Sequence, residues 1–317
     1  MLTRLTDIVI TVVLAFVATA CGSVDSGRQV LVAGRVATFE SVVSYCDGDT
    51  VAAQGISRPL PVGSSYLTAE RVGVERAWNT MHMRWLPTVA IVLTVVLCIF
   101  TPYRITRVIR WIPLLLLASD MVMRWVMTGA VPITTGADTL RAIAMFAAAC
   151  VPFIPREDRS MTVLLLCAVA ILAATAAIMG GHPAVNPLNP TLLSSWLPVH
   201  VGLMMAAYSL MLCAAVAAIA GPVGRLTFRT IVAGEALLAA GITVGALWAA
   251  EAWGRYWAWD PKETWALVTS LVYAAVLASW GATAKRPELR RAVVALAFLA
   301  VVFTWWGVNR LGGLHAY

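Results

Sequence analysis

The chain has 317 residues, 60% of them hydrophobic and only 12% charged, where a soluble globular chain carries roughly 45–50% apolar and about 25% charged residues. With a mean hydropathy of +0.82, this excludes a water-soluble enzyme, a disordered chain and a collagen-like one, and points to an integral membrane protein. The net charge of +7 is then read against topology, because cytoplasmic loops gather Lys and Arg, and no nucleic-acid partner is expected.

Residues 1–24 come first. Arg4, an apolar run from Ile8 to Ala20, small residues and Cys21 fit either a secretory or lipoprotein signal or a first membrane helix. On both readings residues 25–84, which are polar and punctuated by Gly, Ser and Pro, form an extracytoplasmic region that names no function. From residue 85 the chain reads as an all-α, polytopic helix bundle. A spanning helix needs about 20 mostly apolar residues. Eight stretches qualify as candidates, near 86–101, 111–129, 140–155, 161–180, 200–220, 230–251, 264–282 and 292–310; residues 1–21 would be a ninth.

The loops between them alternate in charge. The set 102–110, 156–159, 221–229 and 283–291 holds eleven cations: Arg104, Arg107, Arg110, Arg156, Arg159, Arg225, Arg229, Lys285, Arg286, Arg290 and Arg291. The opposite set holds Arg255 and Lys262, or four cations with Arg141 and Arg310 added. The positive-inside rule therefore puts the loops at 181–199 and 252–263, and the C-terminus, outside the plasma membrane. Asp120 and Arg124, four apart, can pair on one helix face. Glu235 stands in an apolar run without an obvious partner. Gly241 and Gly245 form a GxxxG suited to close helix packing. The six cysteines form neither CxxC nor CxxCH, which argues against a disulfide framework, a zinc site or haem attachment to this chain.

The candidate chemistry lies on the outer side. All four histidines, His82, His182, His200 and His315, fall at or beyond that face. In the same compartment runs Trp253-Gly254-Arg255-Tyr256-Trp257-Ala258-Trp259-Asp260-Pro261-Lys262-Glu263-Thr264-Trp265. Asp260, Pro261 and Glu263 read as a helix start with a capping box. Tryptophan at an interface usually anchors, but an anchoring belt does not need so many aromatics in one short loop. The cluster suits a planar, apolar ligand with a polar edge. If that ligand contains iron, His200 and His315 offer imidazole nitrogens from one side of the membrane. Two imidazoles suit haem better than a bare metal ion, which wants three or four ligands.

The segment 252–265 resembles the tryptophan-rich WWD signature of haem-handling membrane proteins, and its Asp-Pro-Lys-Glu-Thr-Trp continuation resembles the CcsA/ResC branch, the system II cytochrome c biogenesis family. Ser194-Ser195-Trp196-Leu197-Pro198-Val199-His200-Val201, Gly241–Ala249 and Gly307–Tyr317 resemble family segments around the first external histidine, the helix before the signature and the second external histidine. The resemblance is dense from about residue 190 to 317. It thins upstream, where Ala130, Ala137 and Asp138 stand in place of a histidine and a Tyr-Glu pair of the family.

The resemblance implies the haem-handling subunit of a cytochrome c synthase, part of a haem-attachment complex of the cytochrome c haem lyase type. Haem b would be transported and presented outside the membrane to the CxxCH motif of apocytochrome c, together with a CcsB/ResB-type membrane protein and a thiol-reducing partner. His200 and His315 would be axial iron ligands. Trp253, Trp257, Trp259 and Asp260 would complete the cofactor-binding set. One departure is Ala278, which stands where the family places an intramembrane histidine thought to ligate haem in transit. It keeps open an alternative, a haem-binding membrane protein that stores haem or regulates its synthesis without ligation.

Overall fold

A computed structural model describes residues 29–32, 35–38, 57–58 and 83–311, the last with interruptions at 102, 134, 156 and 222 and gaps at 129–130 and 180–193. The expectations for residues 1–24, for His82, His182 and His315, for Ala130 and for the C-terminal tail lie outside the described residues. The chain divides into two compact units. One is Met1–Arg84 with Val122–Pro132 and Gly180–Leu188; the other is Trp85–Met121, Ile133–Met179 and Asn189–Tyr317.

In the first unit, β1 (Gln29–Val32) pairs antiparallel with both β2 (Arg35–Thr38) and β3 (Ser57–Arg58), giving the order β2-β1-β3. These short strands lie before residue 84, outside the stretch for which the all-α bundle is expected. From residue 83 onward, the regular structure among the described residues is helical: α1 (Leu86–Phe100), α2 (Tyr103–Ile109), α3 (Ile112–Thr128), α4 (Gly136–Cys150), α5 (Arg159–Met179), α6 (Trp196–Ala220), α7 (Arg225–Trp253), α8 (Pro261–Ala278) and α9 (Pro287–Val302).

Each of the eight expected spans falls on a helix. Among the described residues five stretches are long and apolar enough to cross a membrane: Gly136–Phe153, Arg159–Met179, Trp196–Ala220, Arg225–Trp253 and Pro287–Arg310. This makes a multi-pass membrane protein. The other three helices are α1, α3 and α8, of 15, 17 and 18 residues. At about 1.5 Å per residue the first spans less than the roughly 30 Å of a hydrocarbon core, and α8 opens on the polar Lys262 and Glu263.

The most buried of the five long stretches is α6, which packs against α4, α5, α7 and α9. A helix apolar on all sides belongs in the centre. Its Ser209 Oγ donates to its own turn at Met205 O (2.6 Å) and lies 2.9 Å from Ile143 O of α4. The glycines of α7 let α6 approach: a Cβ on Gly241 would lie 2.7 Å from Met204 Sδ, the close packing expected of the GxxxG. Threonines join α8 to the end of α9, with Thr269 Oγ1 2.8 Å from Thr304 Oγ1, which in turn donates to Trp265 O at 3.0 Å.

The arginines of the cation-rich loops also close helix C-termini, whose last carbonyls have no partner within the helix. Arg159 Nε donates to Cys98 O (2.7 Å), Arg290 Nη2 to Trp280 O (2.7 Å) and Arg291 Nε to Ala218 O (2.9 Å). Glu235, without a partner in the sequence reading, accepts from the Ser270 hydroxyl of α8.

Asp120 gains a partner that helical spacing alone does not reveal. Arg141 Nε of α4 lies 3.0 Å from Asp120 Oδ2, Arg141 Nη1 3.3 Å from Asp138 Oδ1, and Nη2 reaches Ala176 O at 3.4 Å. All three ionic side chains are at most 4% exposed. Arg141 is therefore no interface cation but the centre of a buried network. Removing one member leaves buried charge uncompensated, so Arg141→Ala is expected to cost about 3–5 kcal/mol. Thermal unfolding in detergent, compared with Arg291→Ala on the half-exposed pair with Glu288, measures it.

Candidate functional site

Six parts of the second unit converge on one cleft: the start of α4, the N-terminal half of α6, the C-terminal half of α7, the loop 254–260, the start of α8, and the turns after α9. Its volume is about 220 Å³, below the roughly 300–1,000 Å³ of typical small-molecule clefts. It is partly open to its surroundings, so a ligand larger than this volume need not be wholly enclosed.

His200 enters from α6. Its Nδ1 lies 2.7 Å from the carbonyl oxygen of Gly241. A carbonyl can only accept, so Nδ1 carries the proton; in the neutral ring the lone pair is then on Nε2, the arrangement that orients a metal-binding imidazole. The ring stacks on Trp248 with centroids 5.9 Å apart and planes 14° apart. It fits there because α7 has glycine at 245: a Cβ at that position would lie 2.6 Å from His200 Cε1. At the start of α6, Ser194 Oγ donates to Glu251 Oε2 at 2.6 Å, tying the entry of the histidine helix to the end of α7.

The tryptophan loop is held by its ends. Gly254 closes α7 in the left-handed region (φ 73°), its N–H donating to Ala250 O at 3.0 Å, a C-terminal position that glycine fills without steric penalty. Asp260 and Glu263 form the expected capping box: Lys262 N donates to Asp260 Oδ2 (3.1 Å), while Glu263 Oε2 accepts from Ala258 N (2.8 Å) and Asp260 N (3.3 Å). Between these anchors Trp259 adopts φ 55°, an outlier for a bulky side chain. It stands edge-on to Trp257, centroids 5.8 Å apart, and is 71% exposed.

Past α9, a π-helical segment, Phe303–Gly307, leads into a single 3₁₀ turn, Val308–Arg310. Such local rewinding is frequent at functional sites, and here both Trp305 and Trp306 line the cleft. Trp305 Nε1 donates to Thr139 Oγ1 of α4 at 3.1 Å. The Arg310 guanidinium covers the Trp306 ring at 3.8 Å.

Of the residues expected from sequence, His200 and Trp257 line the cleft. Trp253 sits behind it, edge-on to Trp248 at 4.7 Å. Trp259 stands beside Trp257 without lining the cleft. Asp260 is buried as the helix cap. His315 lies outside the described residues. Sequence reasoning missed Trp248, Trp305 and Trp306. Their signal was available, since each stands near the C-terminal end of an apolar run and the first is five residues before the signature.

The cytochrome c assembly protein family model matches residues 139–315, a stretch that contains every wall of this cleft except the start of α4. Similar proteins named cytochrome c biogenesis protein CcsA include one from Parasynechococcus marenigrum, 34% identical over 258 residues, 64% of this chain and 83% of the relative. One from Chlamydomonas reinhardtii is 31% identical over 240 residues, 67% of this chain and 68% of the relative. Another, from Guillardia theta, is 39% identical over 175 residues, 41% of this chain and 56% of the relative. The chain belongs to the CcsA family of cytochrome c assembly proteins. As a CcsA family member it has a part in cytochrome c maturation, and its aromatic cleft lies within the part of the chain that the family shares.

Proposed function

We propose that this CcsA-family chain is the haem-handling subunit of a system II cytochrome c synthase. It presents haem b outside the plasma membrane for attachment to the CxxCH motif of apocytochrome c. The observation that carries the reading is the His200 imidazole, its lone pair on Nε2 and its ring against Trp248, in an open cleft walled by Tyr256, Trp257, Trp305 and Trp306. An indole-lined slot suits a porphyrin face. A neutral, oriented imidazole suits iron. His315 is proposed as the second axial ligand. Trp253, Trp259 and Asp260 support the slot, the last by capping α8.

In this reading the chain has eight spans with the tail outside, and works with a CcsB/ResB-type protein and a thiol-reducing partner. His200 and the slot hold the haem with one edge open. Each cysteine S–H then adds across a vinyl C=C: the sulfur bonds to one carbon, the hydrogen goes to the other, and no net oxidation occurs. Holding the vinyls beside the thiols converts a bimolecular addition into a local one.

The test is spectroscopic and genetic together. The purified chain is expected to show a Soret band that is lost in a His200→Ala, His315→Ala double variant. Deletion in the host is expected to remove covalently haem-stained cytochromes. A Soret band with undiminished haem-stained cytochromes would favour the storage or regulatory reading, to which Ala278 gives weight.

A further inference from the structure

Three cations stand near the site in sequence: Arg255, Lys262 and Arg310. They do not stand alike in space. Arg255 is exposed and does not line the cleft. The Arg310 guanidinium is laid on Trp306. Lys262 alone of the three lines the cleft. Its ammonium donates to the neutral amide oxygen Oδ1 of Asn309 at 3.0 Å and belongs to no ion pair among the described residues. The two nearest carboxylates in sequence are engaged by backbone donors: Asp260 takes the N–H of Lys262 itself, and Glu263 takes those of Ala258 and Asp260. Glu263 also lines the cleft and Asp260 acts on the ammonium through space, but the half-buried ammonium's one hydrogen bond among the described residues goes to a neutral amide, which leaves it able to take a carboxylate.

Building on the haem reading above, we propose that Lys262 binds a carboxylate of the cargo, so that the acidic edge of the porphyrin is held at the start of α8 while His200 faces the iron. This fixes the rotation of the ring in its own plane and decides which edge leaves the slot. An incoming propionate would exchange the amide of Asn309, or share the ammonium with it, in a charge-assisted hydrogen bond. Burial pushes the Lys262 ammonium below the ordinary lysine range, against the opposing pull of Asp260. A bound carboxylate raises it again. The carboxylate contribution to binding therefore declines as pH rises through the lowered value.

The test compares haem with haem dimethyl ester, titrated into the detergent-purified full chain and followed by the Soret band. The wild type is expected to bind haem at least about tenfold more tightly than the ester, the usual size of a hydrogen bond to a charged group. Lys262→Met should lose that preference and bind both alike, and Lys262→Arg should keep it. The preference in the wild type should also fade toward alkaline pH. Equal wild-type affinities for the two porphyrins at neutral pH would overturn the Lys262 assignment and leave the haem reading standing. So would a Lys262→Met protein that keeps the preference. The wild-type comparison needs no variant, so poor folding of Lys262→Met cannot mask the result. No Soret band with either porphyrin would overturn both readings.

Discussion

Gly245→Ala is expected to damage haem binding nearly as much as removing His200, with little loss of stability. The added methyl would sit 2.6 Å from Cε1 and 2.7 Å from Nδ1 of the imidazole, far inside van der Waals contact. The ring would have to leave Trp248 and break its bond to Gly241 O. Helix α7 itself gains, since alanine is favoured over glycine inside a helix by about 1 kcal/mol. Losing the group that orients a metal-binding histidine typically costs 10- to 100-fold in affinity, and here the ring is displaced as well, so the upper end of that range is expected. Gly234→Ala is the control on the same helix. Its nearest contact would be Leu210 Cβ at 3.4 Å, which is tolerable. Soret titration alongside the thermal midpoint separates the two. A Gly245→Ala protein with wild-type haem affinity would show that α7 does not seat His200.

The pattern of success in reading this chain follows from what one-dimensional patterns can carry. Helix positions were legible because apolar runs are long and local, and the capping box at Asp260–Glu263 was legible because its bonds link residues three apart. The tryptophan cluster was legible as an excess over what anchoring requires. Residues 29–58 were not, since four-residue strands carry too short an alternation to distinguish from loop. Arg141 was counted only among the loop charges because its partner Asp120 is on another helix, and spacing within one helix cannot reveal a pair between two. The same limit hid the seat of His200. The GxxxG was read correctly as a packing device, but that one of its glycines packs against the imidazole depends on the register of α6 against α7. Trp305 and Trp306 were not singled out because the π turn that brings them to the cleft has no marker in sequence.

The second large effect is expected at Trp248. Its side chain is 1% exposed, the largest fully buried one among the described residues, and it touches two parts of the site: His200 stacks on it, and Trp253 meets it edge-on. Trp248→Ala removes both contacts and opens a void that the close-packed α6–α7 pair cannot collapse around. A loss of about 3–5 kcal/mol is expected, which would lower the thermal midpoint and reduce the folded protein in membranes. Trp248→Phe keeps an aromatic face for His200 but surrenders the wider indole and some of the contact with Trp253. Its cost should be much smaller, with haem affinity lowered less than about tenfold, since an aromatic pair is worth roughly 0.5–1.5 kcal/mol beyond burial. If the tryptophan acted only as filler, Trp248→Leu would match Trp248→Phe in both stability and Soret titration. If it aligns the imidazole, leucine should preserve the midpoint far better than alanine yet bind haem more weakly than phenylalanine does. That divergence between stability and affinity is what assigns Trp248 to the site as a positioning residue.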